Sequence, residues 1–312
     1  MTRHLISIHD LTAEEVAGLY RLSADVKANP GKYADHLHRK TLGMIFEKSS
    51  TRTRVSFEVG MTQLGGHALF LSSRDIQLGR GEPISDTAQV LSRYVDVIMA
   101  RTFAHQTVLD LARFGSVPVI NGLTDELHPC QGMADYFTLR EVFGDLRGRK
   151  IAYVGDGNNV AHSLMFGAAK VGMDVAVATP PGFEPKPHYV ELARQDAAAA
   201  GTALTVTHDP REAVAGASAI YTDVWASMGQ EAEAEARRQA FAGWTVDTAL
   251  MAHARPDAVF LHCLPAHRGE EVAAEVIDGP QSRVFDEAEN RLHVQKAILL
   301  WLLLGDGSQA NR

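Results

Sequence analysis

Residues 41–64 read TLGMIFEKSSTRTRVSFEVGMTQL, and this stretch predicts a strand that passes directly into a helix. The apolar run Leu42–Phe46 is typical of a buried strand, and the serines that follow it, Ser49 and Ser50, are good helix N-caps. Beyond them, apolar side chains recur at a spacing compatible with a partly buried helix. A strand followed at once by a helix is the unit from which parallel α/β sheets are built.

The first turn of this predicted helix carries cations where acidic residues are usual. Arg52 and Arg54 stand there, and no acid occurs before Glu58. Because a helix N-terminus is positive, each cation costs roughly 0.3–1 kcal/mol unless something negative offsets it. Unpaired N–H groups, hydroxyl side chains and guanidinium groups at one helix end predict an anion site, best suited to phosphate. The alternative interpretation is a solvated cap whose arginines point into water.

The composition narrows the class of protein. A chain of 312 residues with 46% hydrophobic content can bury a sizeable core and suits two domains better than one. Its formal charge of −8 argues against nucleic acid or an anionic membrane as the main partner, although a local arginine cluster can still bind a small anion. The opening MTRHLISIHD lacks the apolar core of a signal peptide, and no apolar run approaches the roughly eighteen residues of a membrane span.

Cysteine and histidine usage gives no support to a metal or disulfide framework. The two cysteines, Cys130 and Cys263, do not form a CxxC pair, so we expect a reducing cytoplasm. The fourteen histidines are scattered and show no HExxH spacing. We therefore expect a protein without a metal cofactor.

Short β-rich runs alternate with helical patterns along the whole chain, which implies parallel sheets of the doubly wound kind. The predicted strands are Leu42–Phe46, Ala68–Leu71, Val95–Ala100, Val117–Ile120, Lys150–Val154, Asp174–Ala178, Leu204–Thr207, Ala219–Thr222 and Ala258–Leu261. The predicted helices lie near 12–28, 52–64, 83–93, 105–114, 132–143, 159–171, 188–200, 235–242 and 289–304.

This order of elements predicts an α/β fold of two doubly wound domains with parallel sheets. The helix near 132–143 would bridge the two domains, and the apolar last helix would return to the first one. We expect residues 1–135 plus 288–312 to form the first domain and residues 136–287 to form the second.

Polar side chains follow several of the predicted strands, where ligands of open α/β sheets bind. Arg101 could reach a phosphate or a developing oxyanion, with an ion pair between domains as the alternative. His128 and Gln131 can both point at one small polar ligand, unless the histidine is merely structural. Asp223, with Ser227 four residues later, can hold an ammonium group, and an ordinary Asx turn is the alternative.

The segment 155–159, Gly-Asp-Gly-Asn-Asn, invites comparison with a dinucleotide-binding turn. It lacks the third glycine of that motif at the usual place, and no acid ends the next predicted strand where a ribose would need one. Asn158 and Asn159 at a helix N-terminus are better suited to a carboxylate.

Two further segments carry candidate polar groups near the C-terminal end. Cys263 is either a buried core thiol or a contact to an amine, and Pro265 restricts Leu264 so that backbone carbonyls could point inward. Arg291 is expected in the first turn of the last helix, where it would contact an anion or a carbonyl oxygen. The acids at 286, 287 and 289 offer a simple ion-pair alternative.

Taken together and in order, these segments resemble the aspartate/ornithine carbamoyltransferase family. The Ser-Met-Gly and His-Cys-Leu-Pro segments favour its ornithine-using members. The matching pieces are Ser50 to Arg54, Asp75 to Gly79, His128 to Gln131, Gly155 to Asn159, Asp223 with Ser227 to Gly229, His262 to Pro265, and Glu289 to Arg291.

The resemblance implies a role for each matching residue. Phosphate would be bound by Ser50, Thr51, Arg52 and Thr53, and the carbamoyl group by Arg101, His128, Gln131 and Arg291. Gln77 would be a further contact, either in its own site or in that of a neighbouring subunit. The α-amino acid end of ornithine would be bound by Asn159, Asp223, Ser227 and Met228, and its δ-amine by Cys263 and the Leu264 carbonyl. The residues implied in catalysis are Arg101, His128, Cys263 and Arg291.

The activity implied by the resemblance is transfer of a carbamoyl group from carbamoyl phosphate to the δ-amine of L-ornithine. It requires no cofactor or metal, and the family implies a cytoplasmic homotrimer. Putrescine, lysine or an acetylated ornithine remain as alternative acceptors. An NAD-dependent oxidoreductase built on residues 150–178 and a non-enzymatic anion-binding protein are alternatives of a different class.

Overall fold

The computed structural model describes residues 2–76, 81–226 and 233–305. The chain divides into two compact units. Unit 1 comprises residues 1–133 and 290–312, and unit 2 comprises residues 134–289. Within the described ranges, none of the helices has both the length and the apolar character that crossing a membrane requires.

Unit 1 contains a four-stranded parallel sheet with the strand order β2-β1-β3-β4. Its strands are β1 (Thr41–Phe46), β2 (His67–Ser72), β3 (Val97–Arg101) and β4 (Val119–Leu123). Its helices are α1 (Ala13–Ala28), a 3-10 turn (Pro30–Tyr33), α2 (Thr51–Gln63), α3 (Ile84–Leu91) and α4 (His105–Phe114). One part of its core is formed by Ile45, Ala88, Val95, Ile98, Ala100, Val108, Leu111 and Val119.

Unit 2 contains a five-stranded parallel sheet with the order β7-β6-β5-β8-β9. Its strands are β5 (Lys150–Val154), β6 (Asp174–Ala178), β7 (Leu204–Thr207), β8 (Ala219–Tyr221) and β9 (Val259–Leu261). Its helices are α6 (Asn159–Val171), α7 (Pro187–Ala200), α8 (Pro210–Val214), α9 (Ala234–Ala240), α10 (Thr248–Met251) and α11 (Ala274–Ile277).

Two long helices cross the division between the units. Helix α5 (Pro129–Phe143) begins in unit 1 and continues into unit 2. Helix α12 (Val284–Leu304) begins in unit 2 and continues into unit 1. The fold class predicted from the sequence is therefore confirmed: two parallel-sheet α/β units, a bridging helix and a returning C-terminal helix.

Each sheet has one place where the order of its strands reverses, and such a switch point is where open α/β sheets bind ligands. In unit 1 it lies between β1 and β3, which end at Phe46 and Arg101. In unit 2 it lies between β5 and β8, which end at Val154 and Tyr221. The residues directly after these four strands are the first places to look for a site.

Several element boundaries differ from the prediction. Strand β4 begins at Val119 rather than at 117, since Pro118 has no N–H to donate to a neighbouring strand. Helix α5 begins at Pro129, three residues before the predicted start, and proline is favoured at a first helical position.

The last helix begins at Val284 and not at Glu289. Asp286 and Glu287 belong to its first turn, where acids complement the helix dipole. Arg291 consequently lies about two turns inside α12. The prediction that Arg291 occupies the first turn was wrong, and the argument from the helix dipole does not apply to it.

Candidate active site

In unit 1 the turn from β1 into α2 forms a capped helix N-terminus. Ser50 is the N-cap, and its hydroxyl accepts a hydrogen bond from the Thr53 N–H at 3.2 Å. Thr51 is exposed, Arg52 is half-buried and Thr53 is buried. No acidic residue occurs in the first turn, so the positive end of this helix has no carboxylate of its own helix to offset it.

Arg54 does not join this turn as the sequence argument expected. Its Nε donates to Glu58 Oε1 at 3.0 Å, one helical turn later, and its guanidinium carbon lies 3.8 Å from the centre of the Phe70 ring. The side chain is exposed. The interpretation that Arg52 and Arg54 both face one anion is therefore wrong for Arg54, because it has a carboxylate and an aromatic ring beside it.

The Thr53 hydroxyl instead joins two other arginines of unit 1. Arg101, at the end of β3, donates from Nη1 to Thr53 Oγ1 at 3.5 Å, and Arg291 donates from Nη2 to the same oxygen at 3.1 Å. Arg291 also donates from Nη1 to Gln131 Oε1 at 2.5 Å. Both guanidinium groups are buried. The Thr53 hydroxyl is neutral, so an anionic ligand beside these two cations would add an opposite charge.

His128 stands directly before α5 and is buried. Burial lowers the pKa of its imidazole well below 6.5, and the charges of Arg291, Arg101 and Arg52 lower it further. His128 is therefore neutral at physiological pH, and one ring nitrogen can donate a hydrogen bond. Three arginines of unit 1 are thus near enough to this imidazole for their charges to act on it, which places them in one region of the unit.

Cys130 in the same segment is a core residue. Its thiol donates to the Asn121 carbonyl at 3.5 Å, and burial raises its pKa to about 11. A thiol that remains protonated is not a nucleophile, so Cys130 contributes packing to this segment.

In unit 2 the carboxylate of Asp223, directly after β8, is held on both oxygens. Oδ2 accepts from Asn158 Nδ2 at 2.8 Å. Oδ1 accepts from Cys263 Sγ at 3.1 Å and from the Val224 N–H at 2.9 Å. Asp223 is buried, so these donors stabilise a carboxylate that would otherwise be costly in this position.

Asn158 is the residue of this site that the sequence argument left out of the acceptor set. Its Oδ1 caps α6 by accepting from the N–H groups of Val160 at 2.9 Å and Ala161 at 3.3 Å, while its Nδ2 holds Asp223. Asn159, which was assigned to ornithine, is the first residue of the helix. The N-cap position of Asn158 could be read from the sequence, but its bond to a residue 65 positions away could not.

Cys263 is a hydrogen-bond donor rather than a thiolate. Burial raises its pKa well above the usual value for a thiol, and the negative charge of Asp223 raises it further. In the catalytic role that the resemblance implies, Cys263 would therefore act as a hydrogen-bond donor and not as an acceptor of a proton. Its thiol orients one oxygen of Asp223.

Leu264 has a φ of 56° and is followed by a cis peptide bond to Pro265. The extended backbone expected before a proline is thus not observed. The Leu264 N–H donates to His262 Nδ1 at 2.9 Å, and His262 Nε2 lies 3.2 Å from Glu271 Oε1. The buried His262 and Glu271 side chains hold this loop in a conformation that is rare for a residue with a β-carbon.

An ion pair between Arg237 and Asp156 lies beside the start of α6. Arg237 donates from Nη1 to Asp156 Oδ2 at 3.0 Å and to the Trp225 carbonyl at 2.9 Å. Burial raises the pKa of Asp156 to about 6, although Arg237 acts in the opposite direction. This arginine ties the residue that follows β5 to the segment that follows β8.

The glycine-rich turn after β5 is packed against protein backbone. A β-carbon on Gly157 would lie 2.2 Å from the Pro185 nitrogen and 2.4 Å from the Glu184 carbonyl carbon. The Gly157 N–H donates to the Phe183 carbonyl at 2.8 Å. Glycine is needed here for the approach of residues 183–185, which take the space that a pyrophosphate would need, and the dinucleotide alternative loses its structural basis.

Two groups of side chains in the described ranges have potential metal-ligand atoms close together: Asp223, His262 and Cys263, and His267, Glu270 and Glu271. In the first group, both His262 nitrogens and both Asp223 oxygens already have hydrogen-bond partners within the protein. In the second, Glu270 pairs with Arg238 at 3.2 Å. Part of each group is thus engaged in contacts within the protein.

Gln77, Ser227 and Met228 lie outside the described residues. The other predicted site residues fall into two sets. Unit 1 holds Ser50, Thr51, Arg52, Thr53, Arg101, His128, Gln131 and Arg291, and unit 2 holds Asn159, Asp223, Cys263 and Leu264.

Two family models match successive parts of the chain. The family model "Aspartate/ornithine carbamoyltransferase, carbamoyl-P binding domain" matches residues 3–141, and its companion "Asp/Orn binding domain" matches residues 147–302. The chain is 60% identical over 303 residues to the ornithine carbamoyltransferase of Carboxydothermus hydrogenoformans, covering 96% of this chain and 97% of the relative. It is 56% identical over 309 residues to that of Bacillus subtilis, covering 99% and 96%.

A solved structure shares the fold as well. The ornithine carbamoyltransferase of Pyrococcus furiosus superimposes with a TM-score of 0.92 at 57% sequence identity, covering 96% of each chain. Since two family models together span most of the chain and the relatives match almost its full length, the chain belongs to the aspartate/ornithine carbamoyltransferase family.

Proposed function

We propose that this protein transfers the carbamoyl group of carbamoyl phosphate to the δ-amine of L-ornithine, giving L-citrulline and phosphate. The observation that carries this proposal is the meeting of Arg101 and Arg291 on the Thr53 hydroxyl, beside the neutral His128. The arrangement suits a substrate with a charged phosphate and a carbonyl oxygen that becomes negative during the reaction. The ornithine-specific relatives at 56–60% identity support the choice of acceptor.

The phosphate group is assigned to the N-terminus of α2. Ser50, Thr51, Arg52 and Thr53 supply hydroxyl groups, backbone N–H groups and one guanidinium there. Helix N-termini bind phosphate because their first N–H groups lack partners within the helix and the dipole favours negative charge. As the C–O bond breaks, the same groups stabilise the leaving phosphate.

The carbamoyl group is assigned to Arg101, His128, Gln131 and Arg291. When the neutral amine attacks the carbonyl carbon, negative charge grows on the carbonyl oxygen. Donors that are already fixed by the protein stabilise this charge without reorganising during the step. Thr53, which bonds to both arginines, fixes the two guanidinium groups relative to each other.

The amino acid is assigned to unit 2. Asp223, with Asn159, Ser227 and Met228, takes the α-amino acid end, and Cys263 with the Leu264 carbonyl takes the δ-amine. Ornithine arrives as an ammonium ion and must lose a proton before it attacks. Cys263 keeps its own proton and so does not take that of the ammonium group. We infer that the ammonium group loses contact with water as ornithine binds, and that this desolvation lowers the pKa of the ammonium group.

We infer a homotrimer in the cytoplasm as the working form, with Gln77 acting near a subunit boundary. Strand β2 is at the edge of its sheet, and four apolar side chains on or beside it are exposed, Val55 (50%), Val59 (37%), Leu69 (39%) and Phe70 (37%). An exposed apolar edge strand is normally covered by a partner. The two free cysteines suit a reducing compartment.

Citrulline formation from carbamoyl phosphate and ornithine tests the activity. We expect turnover with ornithine and little with putrescine or acetylated ornithine, because Asp223 is assigned to a free α-amino group that both lack. We also expect little with lysine, because its side chain is one methylene longer and would place its amine wrongly. Turnover with putrescine that equals that with ornithine would contradict the acceptor assignment.

Light scattering after size exclusion tests the assembly. The wild-type chain should elute as a trimer and Val59→Lys as a smaller species, whereas an active wild-type monomer would contradict the proposed trimer.

A further inference from the structure

Helix α12 carries a second buried amide beside Arg291. Gln295 lies one helical turn after Arg291 on the same face and has no exposed surface. The orientation of a glutamine amide is assigned from its neighbours. In the orientation that satisfies them, the Gln295 oxygen accepts from Arg291 Nη2 at 2.9 Å and from Arg291 Nε at 3.2 Å.

The nitrogen of the same amide faces α2. It donates to Ser56 Oγ at 2.5 Å, and Ser56 in turn donates to the Thr53 carbonyl at 3.3 Å. Gln295 thus connects the guanidinium of Arg291 with the backbone of the helix turn that carries Thr53. Every residue of this chain of contacts belongs to unit 1.

Hydrogen bonds to three residues fix the plane of the Arg291 guanidinium. Gln131 accepts from Nη1, Thr53 accepts from Nη2, and Gln295 accepts from Nη2 and Nε. A guanidinium is a planar fork, so acceptors on both its Nη and Nε edges remove its freedom to rotate about the side chain. Of these acceptors, Gln131 and Thr53 are themselves assigned to substrate, and Gln295 is not.

We propose that Gln295 is a positioning residue for the carbamoyl-transfer step, acting through Arg291. This inference rests on the proposed function. Gln295 would hold the Arg291 guanidinium in the plane in which it meets the developing oxyanion, while Gln131 and Thr53 turn toward substrate. Loss of this support should slow the chemical step, since a small displacement of a charge-stabilising group is costly in the transition state.

The test replaces Gln295 by methionine, which keeps the volume but has no amide. We expect kcat to fall about tenfold to a hundredfold. The KM for ornithine should be unchanged, and so should the inhibition constant of inorganic phosphate, because the phosphate-binding turn keeps its own contacts. Gln295→Glu retains an acceptor for Nη2 and Nε and should recover most of the lost kcat.

Gln63→Met is the matched control. Lys296 Nζ donates to Gln63 Oε1 at 3.0 Å, so this pair also ties α12 to α2, but at a distance from Arg291 along both helices. The control should leave kcat unchanged. A general loss of helix contact would lower kcat in both variants, whereas a positioning role affects only Gln295→Met. Should Gln295→Met not fold, Gln295→Ser gives the same comparison with a smaller side chain.

The possible outcomes separate the two proposals. Wild-type protein that forms no citrulline overturns the proposed function and this inference with it. Active wild-type protein with an unaffected Gln295→Met variant overturns the inference alone. It is also overturned if Gln63→Met is equally slow, if phosphate inhibition weakens in step with kcat, or if Gln295→Glu recovers nothing.

Discussion

The two units build their sites at the same topological place with opposite charge. In unit 1, Arg101 at the end of β3 and Arg291 of α12 meet on the neutral hydroxyl of Thr53, which follows β1. In unit 2, the residues after β5 and β8 place one carboxylate, that of Asp223, among an amide, a thiol and a backbone N–H. The first arrangement concentrates positive charge, and the second distributes hydrogen bonds around a single negative charge.

This difference shows which site depends more on its ligand. An anion bound beside the two buried guanidinium groups would bring an opposite charge to them, which the neutral Thr53 hydroxyl does not. Asp223 already has donors on both oxygens, and its geometry is set before any ammonium group arrives. We expect substitutions in unit 1 to affect the reaction rate most, and those in unit 2 to affect acceptor binding.

The largest effect is expected for Arg101→Met. It removes a buried donor from the place where we propose that negative charge develops, and loss of one such donor typically costs about 10²–10³ in kcat. Steady-state citrulline formation measures it, with circular dichroism to check folding. An unchanged kcat in a folded variant would remove Arg101 from the oxyanion site and weaken the contrast between the units.

Asp223→Asn should come next. The amide keeps the shape but loses the charge that we propose to face the ammonium group of ornithine, and a charge-assisted hydrogen bond contributes about 1.5–3 kcal/mol. The KM for ornithine should therefore rise by about ten- to a hundredfold, while the KM for carbamoyl phosphate stays as in the wild type. Equal changes in both constants would show that the two sites are not divided between the units as proposed.

Asn158→Ala sharpens this test because it keeps the carboxylate of Asp223 and removes one of the donors that orient it. The variant also loses the N-cap of α6, which costs about 1 kcal/mol of stability. We expect a smaller rise in the ornithine KM than for Asp223→Asn, together with a lower Tm. A lower Tm without any change in the KM for ornithine would show that Asn158 serves only as a helix cap.

His128 predicts a pH dependence that belongs to unit 1. Its pKa is lowered on folding by burial and by Arg291, Arg101 and Arg52, so below pH 6.5 the unfolded chain binds a proton that the folded chain does not. Stability from this group is therefore present above pH 6.5 and is lost as the pH falls, by up to about 1.4 kcal/mol per pH unit. Urea unfolding of wild type and His128→Asn gives the free energy of unfolding between pH 7 and pH 5.5. This free energy should fall less steeply with decreasing pH in the variant, and equal slopes would contradict the lowered pKa of His128.

The smallest effect is expected for Arg54→Ala. Arg54 interacts with Glu58 and Phe70 at the surface, and exposed pairs of this kind contribute about 0–1 kcal/mol. Its KM for carbamoyl phosphate should remain close to that of the wild type, whereas Arg52→Ala should raise it strongly. Similar losses in both variants would restore the original interpretation of two arginines at one phosphate.

The sequence was sufficient for the fold class and for much of the unit 1 site. Apolar runs such as Leu42–Phe46 predict strands because few other structures bury a continuous apolar segment of that length, and Ser50 predicts a helix start because its hydroxyl can cap free N–H groups. The boundaries were less certain. The predicted start of α12, Glu289, is late, because the acids at 286 and 287 belong to its first turn and not to a segment before it.

What the sequence by itself determined was local: the alternation of strands and helices, the capped turns, and the family resemblance carried by short ordered motifs. Only the tertiary structure decided which partner each polar side chain has. Arg54 turns to Glu58 and Phe70, Asn158 holds Asp223, and Gln295 supports Arg291. The physical reason is that hydrogen bonds between distant segments depend on positions of a few tenths of an ångström, which residue spacing along a chain does not specify.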